Sequence, residues 1–137
     1  MPTIPYLFFG GNCAEAMRFY EKTFGGKLDA LMTYGEHPPG EGFTCPDAMQ
    51  DKIMHAHLTL PDGSTLMASD DMSPAPYKGM SGYSVAVSFK TLAEVKRVFD
   101  TLSEGGHVWM PLGRTFWSEA FGMCADRFGA GWMVSLE

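Results

Sequence analysis

The sequence predicts an α+β fold built of two β-α-β-β-β modules, and three features point to it. Residues 53–70, IMHAHLTLPDGSTLMASD, alternate as a half-buried strand, turn at Pro61-Asp62-Gly63 and continue as a second strand. Residues 120–136, AFGMCADRFGAGWMVSL, repeat that hairpin with a turn ending at Gly129. Each hairpin is preceded by a helical pattern that stops at a glycine pair, Gly25-Gly26 and Gly105-Gly106. The halves are offset by 79 residues at the helix caps (12 to 91), 80 at the glycines (25 to 105) and 66 at the hairpin turns (63 to 129). The offset drops because the stretch 36–50 is longer than its counterpart. A single domain follows, with module 1–71 and module 82–137 joined by a Pro-, Ser- and Gly-rich linker, 72–81.

In order along the chain, residues 3–9 form a short apolar strand whose Pro5 suits an edge or an early position. Asn12 with Glu15 reads as a capping box, and Cys13, Met17, Tyr20 and Phe24 recur at helical spacing as a buried stripe. A strand is expected over 27–34. The stretch 36–50, EHPPGEGFTCPDAMQ, has no period and is long enough to expect a functional loop or a partner contact. In the second half, 83–89 alternates as a strand with Tyr83, Val85, Val87 and Phe89 on one face. Thr91 with Glu94 repeats the capping box, and Leu92, Val95, Phe99 and Leu102 form the stripe. Residues 107–112 are a strand and 113–118 a loop before the closing hairpin. Trp109 and Trp132 are expected in the core.

Composition narrows the class of function. Charged residues make up 19% of the 137, below the roughly 25% usual for soluble domains. Eleven methionines help fill the remaining apolar fraction, as a core or a dimer surface would use them. A net charge of −6 without a Lys/Arg cluster argues against nucleic acid as a partner. Cys13, Cys45 and Cys124 are odd in number and widely spaced, which reads as reduced thiols in a cytoplasmic protein. The start, MPTIPYLFFGG, lacks the pattern of a signal peptide, and no run approaches the roughly 18 apolar residues of a membrane span.

A paired β-α-β-β-β chain of this length resembles the vicinal-oxygen-chelate superfamily of glyoxalase I, extradiol dioxygenases and bleomycin-resistance proteins. MRFYEKTFGG (17–26) is similar to that superfamily's recurrent helix ending. PYLFFGG, EAMRFYEKTFGG, MHAHL, LMASD and GRTFWSEAFGMCADRFGAGWMVSL resemble its PhnB-like branch, often labelled demethylubiquinone methyltransferase-like. The likeness runs over 5–136. It implies that each sheet curves and that the two together enclose a cleft, the glyoxalase/bleomycin-resistance-like arrangement. It also implies a divalent metal held by His or Gln from the first strand of each module and Glu from the last. Those places here are Pro5, Met67, Ser84 and Met133. Proline cannot ligate through its ring, methionine suits soft copper(I) rather than magnesium or zinc, and serine is a weak ligand. The expectation is therefore no metal and no cofactor. Open sheet edges, and the superfamily's habit of pairing modules across chains, imply a homodimer.

Candidate site residues follow from alternation combined with that cleft. With Met54, Ala56, Leu58 and Leu60 toward the helix, His55, His57 and Thr59 look the other way. Phe121 and Met123 match them in the second module, and Pro5, Leu7 and Phe9 are expected to join from the first strand. The result is an apolar small-molecule site with a few polar groups. His55-x-His57 places two imidazoles on one strand face, fit to chelate a metal, to act as acid or base, or simply to be satisfied by neighbours. Phe116-Trp117, with Arg114 beside them to meet an anion, is either a lid or an aromatic plug. Asp70 reads as a turn or cap residue. Phe9-Gly10-Gly11-Asn12 lacks the G-x-G-x-x-G spacing of a nucleotide site. The functional expectation is a metal-independent small-molecule binder. The alternative is an isomerase, lyase or dioxygenase-type enzyme working through His55 or His57.

Overall fold

The computed structural model describes residues 1–36 and 45–137. The fold is α+β, with each half of the chain forming one curved four-stranded sheet backed by one helix. The first module runs β1 (Tyr6–Phe9), α1 (Cys13–Phe24), β2 (Lys27–Thr33), β3 (Ile53–Thr59) and β4 (Thr65–Asp70). The second runs β5 (Val85–Phe89), α2 (Leu92–Ser103), β6 (His107–Gly113), β7 (Phe121–Ala125) and β8 (Gly131–Leu136). Strand order is β1-β4-β3-β2 in one sheet and β5-β8-β7-β6 in the other. In each, only the first and last strands of the module pair in parallel. Two short 3₁₀ turns, Tyr34–Glu36 and Asp47–Met49, flank residues 37–44. Most of the expected functional loop lies outside the described residues. The chain divides into two compact units, Met1–Lys78 and Gly79–Glu137, a boundary inside the 72–81 stretch.

Side-chain periodicity builds each core. Cys13, Met17, Tyr20 and Phe24 are buried along α1 together with Ala16, against Ala56 and Leu58 of β3 and Leu66 and Ala68 of β4. Each large apolar side chain fully buried in this way stabilises the module by about 1.5–3 kcal/mol. In α2 the buried stripe is Val95, Val98, Phe99 and Leu102. Leu92, expected in that stripe, is 60% exposed at the first position of the helix, and Val98 joins the stripe.

The glycine pairs do two separate jobs. Gly25 and Gly105 turn the chain at φ of 72° and 75°, the left-handed region that penalises a Cβ. Gly26 and Gly106 let the following strand lie against the hairpin. A Cβ on Gly26 would sit 2.6 Å from the Thr59 carbonyl oxygen, and one on Gly106 would crowd Ala125 more closely still. The hairpin turns are also duplicated. Gly63 N–H donates to Leu60 O at 2.9 Å and Gly129 N–H to Asp126 O at 3.0 Å.

Candidate functional site

On the face of the first sheet turned away from α1, polar side chains gather in two adjacent rows. Tyr6 pairs with Met67, Met67 with His57, and His57 with Ala30, forming one row across all four strands. His55 pairs with Met32 in the next row. Burial alternates accordingly: Ala56 and Leu58 are buried under the helix, while His55, His57 and Thr59 are only partly covered. The Tyr6 hydroxyl lies 3.3 Å from His55 Nδ1, a hydrogen bond whose direction follows the imidazole tautomer. The two rings are tilted at a centroid distance of 6.0 Å.

A β-bulge completes the cluster. Leu28 opposes Leu58, yet Ala30, two residues on, opposes His57, only one residue back. Asp29 is the extra residue. Such a bulge bends the strand and re-aims the inserted side chain, here onto the histidine face. Asp29 Oδ2 lies 4.0 Å from His57 Nδ1 and accepts a hydrogen bond from the Thr59 hydroxyl. That separation is too long for a hydrogen bond between Asp29 and His57. The other ring nitrogen, His57 Nε2, is buried and has no hydrogen-bond partner among the described residues. Asp29 escaped the sequence reading because regular alternation would have paired it differently. The register slip that aims it is not encoded by any residue type in KLDALMT.

Leu7 and Phe9, expected on this face, lie on the opposite one. They are 3% and 0% exposed, and Phe9 meets Tyr20 of α1 at a centroid distance of 6.4 Å. Tyr6 and Phe8 take the open side instead, with their rings 5.1 Å apart. The stretch Tyr6–Phe9 is aromatic or aliphatic at every position, with the Tyr6 hydroxyl as its one polar side-chain group, so alternation marked the helix-facing side only weakly.

In the second module Phe121 and Met123 stand on the face away from α2, between buried Gly122 and Cys124. Trp117 packs edge-on against Phe121 at 5.3 Å and Phe116 against Trp117 at 4.7 Å, while Phe116 itself is 96% exposed. Arg114 is exposed on the same connecting segment. Trp132 is core, and its indole N–H donates to Asp126 at 2.8 Å. Trp109 is not core. It is 54% exposed on edge strand β6, at the second module's own bulge, where Val108 opposes Cys124 but Met110 opposes Met123.

Asp70 is a structural acid in this fold. Its Oδ1 accepts from Gly11 N–H at 2.9 Å and Cys13 N–H at 3.0 Å, and its Oδ2 from Ile53 N–H at 2.8 Å. The parallel β1–β4 pairing sets it beside Phe9, at the mouth of α1, where a negative charge also suits the helix dipole. Among the described residues the Asn12 side chain makes no capping bond, so Asp70 replaces the expected box. Thr91 does cap α2, accepting from Glu94 N–H at 3.2 Å. Burial, with Asp70's charge second, pushes the Cys13 thiol well above its ordinary range. Burial and then Asp126 push Cys124 up to about 11. Both are packing thiols rather than nucleophiles.

A family model for the Glyoxalase/Bleomycin resistance protein/Dioxygenase superfamily matches residues 4–134. The chain belongs to that superfamily. Protein YjdN of Escherichia coli K12 is 36% identical over 142 residues, covering 99% of this chain and 95% of YjdN. The crystal structure of protein PA1353 from Pseudomonas aeruginosa is 44% identical, with a TM-score of 0.91 over 100% of this chain and 98% of that one. The PhnB protein from Bacillus cereus is 28% identical, with a TM-score of 0.81 over the whole of both chains. The chain is thus PhnB-like within the glyoxalase superfamily.

The places where superfamily enzymes hold a divalent metal do not fit one here. Met67 sits between Tyr6 and His57 in its sheet, and Met133 between Ala86 and Met123 in the other. Thioethers, a proline and a serine are the wrong donors for a hard or borderline ion. Among the described residues no three His, Cys, Asp or Glu side chains are grouped so as to share one. The glycine turn before α1 is no phosphate cradle either. Its Gly11 N–H is committed to Asp70, and Gly10 packs against the Tyr77 ring.

Proposed function

We propose that this PhnB-like glyoxalase-superfamily chain is a small-molecule-binding protein that works without the superfamily's divalent metal. The ligand is engaged by the polar face of the first sheet. One observation carries the reading: Tyr6, His55, His57, Asp29 and Thr59 converge on that face, and His57 Nε2 is buried there without a partner. An unsatisfied buried ring nitrogen costs about 1–3 kcal/mol, and a site that accepts a ligand's polar group has reason to keep one. Within the second module, Phe121 and Met123 with Trp117, Phe116 and Arg114 offer a separate apolar surface for ligand contact. Leu7 and Phe9 are assigned to the core instead.

A thermal-shift screen of small polar and aromatic compounds, run with and without divalent cations, tests this. Only compounds that bind the native state raise the melting point. Metal-independent shifts that disappear in His57→Ala are expected. Shifts that require added zinc or magnesium, or a stoichiometric divalent ion in protein purified without chelator, would reject the metal-free reading.

The Asp29–His57 pair favours a second reading, an enzyme of isomerase, lyase or dioxygenase type in which His57 moves a proton at Nε2. Retention of every measured turnover in a folded His55→Ala/His57→Ala double variant would dispose of it. We further assign the chain as a cytoplasmic homodimer. All three cysteines are free thiols, no described helix is long and apolar enough to cross a membrane, and edge strand β6 exposes Val108, Trp109 and Met110 together. Light scattering at micromolar concentration tests the dimer, and a monomeric mass contradicts it.

A further inference from the structure

We propose that Asp29 is a positioning residue that holds neutral His57 in its Nδ1–H tautomer, making Nε2 a hydrogen-bond acceptor for a ligand hydroxyl, phenol or amide N–H. This rests on the reading of the first sheet's polar face as the ligand site, and it names the chemistry that face selects. Three observations lead to it. The bulge in β2 inserts Asp29 beside His57, a placement that regular pairing would have denied it. Asp29 Oδ2 faces His57 Nδ1 at 4.0 Å and Nε2 has no hydrogen-bond partner among the described residues, so the carboxylate's field favours a proton on the Nδ1 side. The Thr59 hydroxyl, on the same strand as His57, is bonded to that same carboxylate oxygen and holds Asp29 in place.

Which imidazole nitrogen carries the proton is decided by what the other side of the ring meets. A carboxylate on the Nδ1 side favours N–H there and leaves the buried, unpartnered Nε2 lone pair to accept from a donor. A ligand anion would instead meet a lone pair with a negative charge behind it. The face therefore selects donor-bearing neutral groups over carboxylates or phosphates. The Met67 thioether, directly across the ladder from both His57 and Tyr6, supplies apolar contact for the carbon skeleton of such a ligand.

Long-range ¹H–¹⁵N correlation spectra of the histidine rings, taken at the high-pH limit of a titration on the unliganded dimer, test the proposal. The expected result is a His57 signal of the Nδ1–H form in the unaltered protein. It should move toward the Nε2–H form in Asp29→Asn and part of the way in Thr59→Val, while His55 stays unchanged. Asp29 lies on an edge strand and is partly exposed, so these variants are expected to fold; their urea midpoints confirm it. An Nε2–H signal in the unaltered protein, or the same tautomer with and without the Asp29 charge, overturns the proposal. Titration with phenol and with benzoate adds a second arm. Phenol perturbing His57 at lower concentration than benzoate supports the acceptor assignment, and the reverse order overturns it. Because the tautomer is read without ligand, loss of the binding reading and loss of Asp29's role give different results.

Discussion

The two modules use one backbone plan with opposite side-chain chemistry. At the first module's bulge stands Asp29, beside His57 and Thr59; at the second's stand Trp109, Met123 and Ala125 in the matching places. Where His55 faces Met32 in one sheet, Phe121 faces Gly113 in the other. Met110, Met123 and Met133 run side by side across β6, β7 and β8, a thioether row opposite in character to Tyr6–Met67–His57–Ala30. The turns, the glycine pairs and the strand order are shared. The two modules share what closes the backbone and differ in what lines the sheet, with polar side chains collected in one half and apolar surface in the other.

The two helix mouths are where the modules should differ most in stability. Asp70→Ala strands three N–H groups in the first module, two of them buried and one part-buried, and urea denaturation should register a loss of about 3 kcal/mol or more. Thr91→Ala removes one local cap in the second and should cost about 1 kcal/mol. Equal losses would mean that the long-range carboxylate is no better a cap than the local hydroxyl. Next in size, Gly26→Ala and Gly106→Ala each push a Cβ into a hairpin carbonyl. Each should lower stability by about 1–3 kcal/mol, with Gly106 the worse because its neighbour is nearer.

Two exchanges of side-chain character should leave stability almost untouched. His57→Met gives the first sheet the residue found at the second's matching position. The expected change in unfolding free energy is within about 1 kcal/mol, with loss of ligand-induced thermal shifts. Trp109→Asp gives the second bulge the first's residue type. Its effect on the isolated chain should be about 0.5 kcal/mol or less, since the indole is largely exposed. If β6 forms the proposed dimer seam, the readout is a shift toward monomer in light scattering, and an unchanged mass rejects that placement.

Reading the chain in one dimension recovered the elements and their repeat because periodicity, turn residues and glycine pairs are local signals. The hairpin over 53–70, the stripe Cys13-Met17-Tyr20-Phe24 and the cap Thr91 all stand where residue type put them. Three readings went astray at places where the local signal is empty or misleading. Leu7 and Phe9 belong to a strand whose outer face is marked by nothing more polar than the Tyr6 hydroxyl. Trp109 looked buried by residue type, but it stands on edge strand β6, where its neighbours Val108 and Met110 are exposed as well. Asn12 and Glu15 matched a capping pattern whose work is done by a residue 58 positions further on than Asn12 (12 to 70).

By itself, then, the sequence determined two β-α-β-β-β units and their boundaries to within a few residues. Tertiary structure alone decided which face of each strand the helix covers, that Asp70 reaches the mouth of α1, and that Asp29 stands beside His57. Alternation and capping act between residues a few positions apart, so they are written in the order of the chain. Parallel pairing of β1 with β4 and the one-residue slip in β2 arise only when distant strands meet, and that is where the candidate site is made.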